Sequence, residues 1–354
     1  MHIAFRVDGN EVIGLGHLMR CLALAQHGQN RFDKISFLVT KATHRQALKR
    51  EDWVGEIILV EDSLHDVNHI SDFCSNNKVD FLVLDGYHFT SEYRKALSLA
   101  LRETFIVAID DNNDMGALYA HCIVNPNGHA LSLNYEDTQP HSNCCLGTHF
   151  RILRKEFVLN EAQRRKAFLL DTRDQLTIIL GGADTQNLSL LLADALAKAL
   201  PNIPINVITG SAYSHSKALD EFTSNSPFVH HLHNVQNVST VFLRSRLVIS
   251  AGGSTQYELQ ALCTPALLLV VANNQYQATK RSSEEGRAHY FNMLDQFDLT
   301  CLLSKIIDLW NSSEALANMQ RANRTQANTN GADNIFNALL KLKDESGNRC
   351  NDHL

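Results

Sequence analysis

The chain has 354 residues, of which 44% are hydrophobic and 20% are charged, and its formal net charge at pH 7 is −6. This composition is typical of a globular protein and excludes a disordered or fibrous chain, and the length allows two domains with a core each. The negative charge argues against nucleic acid or an anionic membrane surface as the main partner. No apolar stretch approaches the ~20 residues of a membrane span and no secretory signal is apparent, so we expect a cytoplasmic protein without stable membrane insertion.

Seven short apolar segments in the first half of the chain predict strands, with helical periodicity between several of them, as in residues 18–26 and 91–102. Continuous apolar strands separated by helices indicate a parallel sheet that is covered on both faces. The predicted strands are residues 2–7, 34–40, 56–60, 80–85, 104–110, 122–125 and 143–147.

The loop between the first strand and the first helix contains Gly14 and Gly16 and ends at His17, where the helix begins. Free N–H groups at a helix start favour anionic oxygen, and the macrodipole there disfavours imidazolium, so we expect a neutral His17 that can accept a proton. Two plainer interpretations stay open: the glycines only shape the turn, or the histidine only caps or packs. The dinucleotide fingerprint is excluded, since its third glycine and its acidic residue are missing.

Other polar residues of the first half follow predicted strands. Tyr87 comes after the fourth strand and is expected to project toward a ligand, or else to be an ordinary exposed loop residue. Arg6 and Asp8 lie on one strand face and are expected to satisfy each other. The acidic run 110–114 lacks the spacing of a calcium loop. Histidines 230, 231 and 233 lack a fourth ligand for a metal ion. The eight cysteines lack the Cys-x-x-Cys spacing of a zinc site. We therefore predict no metal site and no disulfide frame.

The second half repeats the same alternation after a charged segment, residues 151–173, which predicts a connecting helix. Strands are predicted at residues 175–180, 205–210, 228–232, 246–250 and 265–271, and helices at residues 187–200 and 255–262, from Asn274, and from Ser312 onward.

Glycine-rich segments follow two of these strands, at Gly181-Gly182 and at Gly252-Gly253-Ser254-Thr255. Such glycines let a backbone approach phosphate, and the hydroxyls can donate hydrogen bonds to it. Glu258 lies one turn further along, where it can accept both hydroxyls of a ribose. The alternative for Ser254 and Glu258 is a helix cap, with Glu258 as the capping-box partner of the serine. The alternative for the segment after Gly181-Gly182 is a helix capped by Asn187.

We therefore predict an α/β fold with two Rossmann-like doubly wound domains that face each other across a cleft and bind the ligand outside the carboxyl ends of both sheets. The predicted limits are a first domain at residues 1–155, a connecting helix at 156–173, a second domain at 174–335, and a C-terminal helix with a frayed tail at 336–354.

A series of blocks in this sequence, among them Gly14-Leu15-Gly16-His17, resembles the UDP-sugar hydrolases of pseudaminic acid biosynthesis. That family is similar to the inverting two-Rossmann-domain (GT-B) glycosyltransferases, including the enzyme that makes lipid II. The matching blocks are residues 6–8, 13–21, 85–87, 109–111, 125–127, 146–157, 181–184, 251–255 with Glu258, and 274–275.

The resemblance implies hydrolysis of UDP-2,4-diacetamido-2,4,6-trideoxy-β-L-altropyranose to UDP and the free sugar. We expect a monomer that needs no cofactor and no metal. The resemblance implies that His17 and Tyr87 are catalytic. It further implies that UDP binds Gly182, Gly252, Gly253, Ser254, Thr255 and Glu258, and that the sugar binds Asp8, Gly16, Arg154, Asn274 and Gln275.

Two other functions fit the same residues. A glycosyltransferase of this fold would use an acceptor hydroxyl in place of water, and fold alone does not separate the two activities. A non-catalytic sugar-nucleotide binder would bind tightly without turnover and would not need His17. The chain departs from the family at Gly9-Asn10 and at Ala183-Asp184-Thr185, and neither departure includes His17, Tyr87 or Glu258.

Overall fold

A computed structural model describes residues 1–10, 12–61, 66–159, 162–163, 165, 169–294, 297–324 and 330–351. The described residues divide into two compact units. The first lies within Met1–Gly9, His17–Lys155 and Asn328–Leu354, and the second within Asn10–Gly16 and Glu156–Ala327. Within the described ranges, no helix combines the length and the apolar character that crossing a membrane requires.

The first unit is built on a seven-stranded parallel sheet with the order β3-β2-β1-β4-β5-β6-β7. The order reverses between β1 and β4, where Val7 pairs with Asp85. Ligands bind open α/β sheets at such a reversal point. The strands are β1 (His2–Val7), β2 (Lys34–Val39), β3 (Glu56–Leu59), β4 (Phe81–Asp85), β5 (Phe105–Ile109), β6 (Cys122–Asn125) and β7 (Asn143–Leu146).

Helices connect these strands and cover the sheet. A core packs strand residues such as Leu82 against helix residues such as Ile70 and Leu97, and all three are fully buried. Strands that are buried on both faces explain the continuous apolar runs in the sequence. The helices are α1 (Gly16–Gly28), α2 (Lys41–Ala47), α3 (Val67–Asn76), α4 (Ser91–Ala100) and the single turn α5 (Tyr135–Thr138).

The second unit has a six-stranded parallel sheet with the order β10-β9-β8-β11-β12-β13, which reverses between β8 and β11. Its strands are β8 (Gln175–Ile179), β9 (Ile205–Thr209), β10 (Val229–His233), β11 (Ser245–Ala251), β12 (Ala266–Val270) and β13 (His289–Asn292). Its helices are α6 (Leu188–Ala199), α7 (Ser216–Ser224), α8 (Ser239–Phe242), α9 (Thr255–Ala261), α10 (Tyr276–Glu284), α11 (Leu299–Asn311) and α12 (Ser313–Arg324).

The last helix, α13 (Gly331–Asn351), packs on the first unit. Phe336 is fully buried, with its ring centroid 5.2 Å from that of Phe32, and Lys343 pairs with Asp80. Residues 331–335, at the start of this helix, therefore belong to the first unit. The sequence analysis included them in the second domain. Their apolar periodicity indicates a buried face, but it does not indicate which sheet the face covers.

The predicted α/β fold class with two Rossmann-like doubly wound domains is confirmed. Strand β13 was not predicted, because His289-Tyr290-Phe291-Asn292 is too polar and too short to stand out in the sequence. Part of the predicted connecting helix, namely residues 160–161, 164 and 166–168, lies outside the described residues, as do residues 352–354 of the predicted tail. Short 3₁₀ turns flank the connecting segment at Lys155–Phe157 and Leu170–Thr172.

Candidate functional site

A cluster of polar side chains lies where β1 and β4 end in the first unit. His17 is the second residue of α1, and its Nδ1 atom lies 2.7 Å from Oδ1 of Asp85, the last residue of β4. The Asp85 side chain is fully buried, and that of His17 is 14% exposed. An ionised carboxylate only accepts hydrogen bonds, so Nδ1 carries a proton and Nε2 is the nitrogen that can accept one.

Arg20, one turn along α1 from His17, joins two carboxylates. Its Nε and Nη2 atoms donate to the two oxygens of Asp85, at 2.9 and 2.7 Å. Its Nη1 atom donates to Oδ1 of Asp111 at 2.7 Å, and Asp111 follows β5. A planar guanidinium is suited to such two-sided pairing, and it holds the ends of β4 and β5 together.

Both carboxylates remain ionised at neutral pH. Burial acts to raise the pKa of Asp85, but the charges of Arg20 and His17 and their hydrogen bonds outweigh it and hold that pKa below its ordinary value. The pKa of Asp111 is lowered in the same way, against burial, by Arg20 and by the Tyr87 hydroxyl. The adjacent Asp110 is different, because burial raises its pKa.

Tyr87 contacts both parts of this cluster. Its hydroxyl donates to Oδ2 of Asp111 at 2.5 Å, and its ring meets the ring of His17 edge-on, with 4.6 Å between the centroids. Asn127, after β6, donates to Oδ1 of Asp111 at 3.0 Å. Asp111 therefore holds the tyrosine, the arginine and the asparagine in place around His17.

Sequence reasoning missed four members of this cluster, namely Arg20, Asp85, Asp111 and Asn127. It excluded the acidic run 110–114 as a calcium loop and included residues 109–111 in a block that resembles the hydrolase family, but it gave Asp111 no role in the site. A signal was present: these residues lie in α1 or directly after β4, β5 and β6, whose carboxyl ends meet at one edge of a parallel sheet. Only the strand order, which the sequence did not provide, makes them neighbours.

Asp8, a predicted sugar-binding residue, is buried and already has several partners. Oδ1 accepts hydrogen bonds from the backbone N–H and hydroxyl of Thr40 and from the hydroxyl of Thr43, and Oδ2 accepts from Arg6 at 2.5 Å. The expected pairing of Arg6 with Asp8 is confirmed. The bonds to Thr40 and Thr43 tie the end of β1 to the start of α2.

Two other predicted sugar-binding residues of the first half of the chain are Gly16 and Arg154. Gly16 is exposed at the start of α1, and Arg154 is half-buried shortly before the Lys155–Phe157 turn. A sugar-binding role for either residue stays a prediction.

In the second unit, Gly252 and Gly253 follow β11 and differ in their surroundings. A Cβ atom on Gly252 would lie 2.3 Å from Oγ1 of the buried Thr279, so this position has no room for a side chain. A Cβ atom on Gly253 would meet nothing within 4 Å. Gly252 is therefore required by packing, whereas Gly253 exposes backbone that a ligand could approach.

The structure does not show the alternative role of the Ser254 side chain as a helix cap. Ser254 occupies the N-cap position of α9, but its side chain makes no capping hydrogen bond. Ser254 is exposed, and Thr255 and Glu258 are half-buried on the first turn of α9. These three side chains follow the carboxyl end of β11, which is one of the two strands at the reversal of the second sheet.

The remaining predicted residues of the second unit lie in loops after β8 and β12. Gly182 is half-buried, and Asp184, rather than Asn187, caps α6 by accepting hydrogen bonds from two backbone N–H groups. Asn274 is exposed, and Oε1 of Gln275 accepts a hydrogen bond from the backbone N–H of Val271 at 3.0 Å. The Gln275 amide group is thus fixed at the end of β12.

Among the described residues, no group of three or more His, Cys, Asp or Glu side chains has a geometry that could hold a metal ion. In the histidine-rich strand β10, His231 contacts Asp220 and Thr209, with its Nδ1 atom 2.5 Å from an Asp220 carboxylate oxygen. His231 is thus paired with an aspartate and a threonine.

No family model matches the chain. It is 23% identical over 283 residues to the UDP-2,4-diacetamido-2,4,6-trideoxy-beta-L-altropyranose hydrolase of Campylobacter jejuni, covering 79% of this chain and 95% of that protein. It is 24% identical to the spore coat polysaccharide biosynthesis protein SpsG of Bacillus subtilis, covering 81% and 83%. It is also 24% identical to an uncharacterized protein of Methanocaldococcus jannaschii, covering 76% of this chain but about half (55%) of that relative.

Solved structures share the fold over nearly the whole chain. MurG of Acinetobacter baumannii matches with a TM-score of 0.67 at 16% identity, covering 96% of this chain and 99% of that one. The UDP-GlcNAc 2-epimerase of Neisseria meningitidis matches with a TM-score of 0.67 at 14% identity, covering 96% and 100%. The chain therefore has the two-domain GT-B fold, and its sequence is similar to that of a curated UDP-sugar hydrolase.

Proposed function

We propose that this chain hydrolyses a UDP-sugar to UDP and the free sugar, and that the sugar nucleotide is UDP-2,4-diacetamido-2,4,6-trideoxy-β-L-altropyranose. The observation that carries the proposal is the His17–Asp85 pair, 2.7 Å apart at the carboxyl end of β4, which leaves Nε2 of His17 as a base. The likeness to the hydrolase of Campylobacter jejuni supports the choice of reaction and substrate.

In the proposed reaction, Nε2 of His17 takes a proton from water while the water oxygen attacks the anomeric carbon from the face opposite UDP. The bond between that carbon and the β-phosphate oxygen breaks, its electron pair stays on the phosphate, and the configuration inverts. The proton ends on His17, where the carboxylate of Asp85 stabilises the imidazolium through Nδ1–H. The diphosphate is a good leaving group, so the scheme needs no general acid, cofactor or metal.

We assign UDP to residues of the second unit. Gly253 offers accessible backbone to the diphosphate, the hydroxyls of Ser254 and Thr255 donate to its oxygens, and Glu258 accepts from the ribose. Gly252 and Gly182 shape the two loops.

We assign the sugar to Gly16, Arg154, Asn274 and Gln275, with Tyr87 packed beside the base. Asp8 enters this proposal through the shape of the β1 end, since its oxygens already accept hydrogen bonds from Arg6, Thr40 and Thr43. Asp8 would thus act on the sugar indirectly, by holding the loop that leads to Gly16.

The test is a proton NMR assay of the UDP-sugar, which follows the release of UDP and shows which anomer of the free sugar appears first. We expect the inverted anomer first and a loss of ~10²–10⁴ in kcat for His17→Ala. Wild-type turnover in that variant would remove His17 from the mechanism, and tight UDP-sugar binding without any turnover would make the chain a binding protein. Inhibition by EDTA that magnesium or manganese reverses would contradict the metal-free scheme.

A glycosyltransferase is the second candidate, because the fold is shared with MurG. A UDP-N-acetylglucosamine transferase of Exiguobacterium is also 29% identical, although only over 135 residues. In that case an acceptor hydroxyl replaces water. Near-zero UDP release without an acceptor, followed by turnover when an alcohol acceptor is added, would select the transferase.

We also propose that the enzyme is a cytoplasmic monomer. Light scattering on the eluting protein would then give the mass of one chain, 39.6 kDa, at all concentrations tested. A mass that rises toward that of a dimer with concentration would contradict this.

A further inference from the structure

Arg20 and His17 share one oxygen atom of Asp85. The Nη2 atom of Arg20 donates to Oδ1 of Asp85 at 2.7 Å, and the same oxygen lies 2.7 Å from Nδ1 of His17. The Nη2 atom is also only 3.3 Å from that ring nitrogen. The described cluster thus sets two carboxylates, those of Asp85 and Asp111, against one guanidinium beside the proposed base.

A buried carboxylate that contacts an imidazole stabilises its protonated form, and a fixed cation beside the same imidazole destabilises it. A general base must be unprotonated at the working pH, so a cation beside a His–Asp pair widens the pH range in which the ring can accept a proton. Arg20 supplies that cation, and Asp111 limits its effect because it takes up part of the guanidinium charge through Nη1 at 2.7 Å.

A third carboxylate, Asp110, lies beside Asp111, and burial raises its pKa. Three other described groups that face this cluster carry no formal charge at neutral pH. From α1, the thiol of Cys21 donates to Asp85, and burial raises the pKa of that thiol. Tyr87, from the loop after β4, donates its hydroxyl to Asp111. Burial lowers the pKa of His129, after β6, which keeps that ring neutral. Arg20 is therefore the fixed cation among these described groups.

We infer that Arg20 is a positioning residue that sets the pH at which His17 becomes a base, by sharing Asp85 with it, while Asp111 balances Arg20 from the other side. The inference rests on the proposed function only in calling His17 a base. Removal of Arg20 and removal of the Asp111 charge then move the protonation of His17 in opposite directions. An arginine whose charge does not act on the ring would produce no such pair of opposite shifts.

The test is an NMR titration of the full chain with labelled histidine, in the absence of substrate. The signal of His17 among the 17 histidines is identified by comparison with His17→Gln. We expect the titration midpoint of the His17 ring to rise by about 1 pH unit in Arg20→Met and to fall, by less, in Asp111→Asn. Arg20→Lys keeps the charge but loses the two-sided bridge, so its midpoint stays near wild type while kcat falls about tenfold.

Shifts of the same sign in Arg20→Met and Asp111→Asn, or no shift in either, would overturn the inference. Wild-type kcat in Arg20→Lys would overturn the positioning role of the bridge. If Arg20→Met does not fold, Asp111→Asn alone decides, because asparagine has nearly the same shape and a downward shift is still required. If no UDP-sugar is hydrolysed, the titrations still decide the charge balance, so the two proposals fail separately.

Discussion

Replacing Asp85 by asparagine removes the group that fixes His17. Asp85 is fully buried and accepts hydrogen bonds from His17 and, twice, from Arg20. The asparagine side chain keeps the shape of the aspartate but loses its charge. Only the oxygen of its amide accepts hydrogen bonds, so it cannot accept from all of these donors. The His17 ring is then free to take the other tautomer, with the proton on Nε2, so the base is lost. We expect kcat for UDP release to fall by ~10²–10⁴.

The same substitution also destabilises the first unit. Breaking a buried ion pair costs about 3–5 kcal/mol when the remaining charge is left alone. Here Arg20 keeps Asp111 as a partner at 2.7 Å, so we expect about 2–4 kcal/mol, which thermal unfolding of the full chain should detect.

This destabilisation depends on pH with a definite sign. The pKa of Asp85 is held below its ordinary value in the folded chain, mainly by Arg20 and His17 acting against burial. Its ionised form therefore stabilises the fold fully above the unfolded pKa of about 3.9, and this contribution is lost as the pH falls through the folded pKa. The stability difference between wild type and Asp85→Asn should be largest near pH 7 and should narrow below about pH 4.

The matched control is Asp220→Asn, because Asp220 also pairs with a histidine, His231, at 2.5 Å. Its side chain is 63% exposed, so water screens the pair. We expect unchanged turnover and a stability change below about 1 kcal/mol. If Asp85→Asn behaves like this control in both measurements, Asp85 neither orients the base nor stabilises the fold, and the proposed role of the pair is refuted.

Three further predictions follow from single contacts. Tyr87→Phe keeps the ring against His17 but loses the hydrogen bond to Asp111, so kcat should fall by less than about tenfold, and a loss as large as that of His17→Ala would contradict a supporting role. Gly252→Ala should destabilise the chain by about 1–3 kcal/mol, because its Cβ atom would clash with Thr279. Gly253→Ala should leave stability unchanged and weaken UDP binding about tenfold, as measured by calorimetry. Equal effects of the two variants would refute the packing role of Gly252 and the ligand-binding role of Gly253. Phe336→Ala should cost about 3–5 kcal/mol in thermal unfolding with KM unchanged, since its ring is fully buried against Phe32.

The sequence predicted the two sheets well because their strands are buried on both faces and read as continuous apolar runs. It missed β13, where only Tyr290 and Phe291 are apolar, and it did not indicate which unit α13 packs on. The contacts of Phe336 with Phe32 span more than three hundred residues of chain, and periodicity carries no information about such partners.

The candidate site was predictable only for residues that lie near one another in the sequence. His17 was recognisable from the glycine loop before it, and Tyr87 from its place after a strand. Arg20 and Asp111 were not recognised, because their roles depend on β4 and β5 being adjacent in the sheet. The expectation that the helix start alone keeps His17 neutral also omitted Asp85 and Arg20, which act on the same ring with opposite signs.

The two aspartates at the sheet reversal have different tasks. Val7 of β1 is in register with Asp85 of β4, so Asp8 and Asp85 mark neighbouring strand ends. Asp8 is held by Arg6, Thr40 and Thr43 and fixes the end of β1, and its Oδ2 atom also lies 3.5 Å from Nε2 of His88, which follows β4. His17 pairs with Asp85 of the neighbouring strand, so the α1 helix that carries it is fixed by β4 as well as by β1. Asp8→Asn should for this reason lower the stability of the first unit and misplace His17 together, whereas Asp85→Asn should leave the loop after β1 in place and affect the base directly.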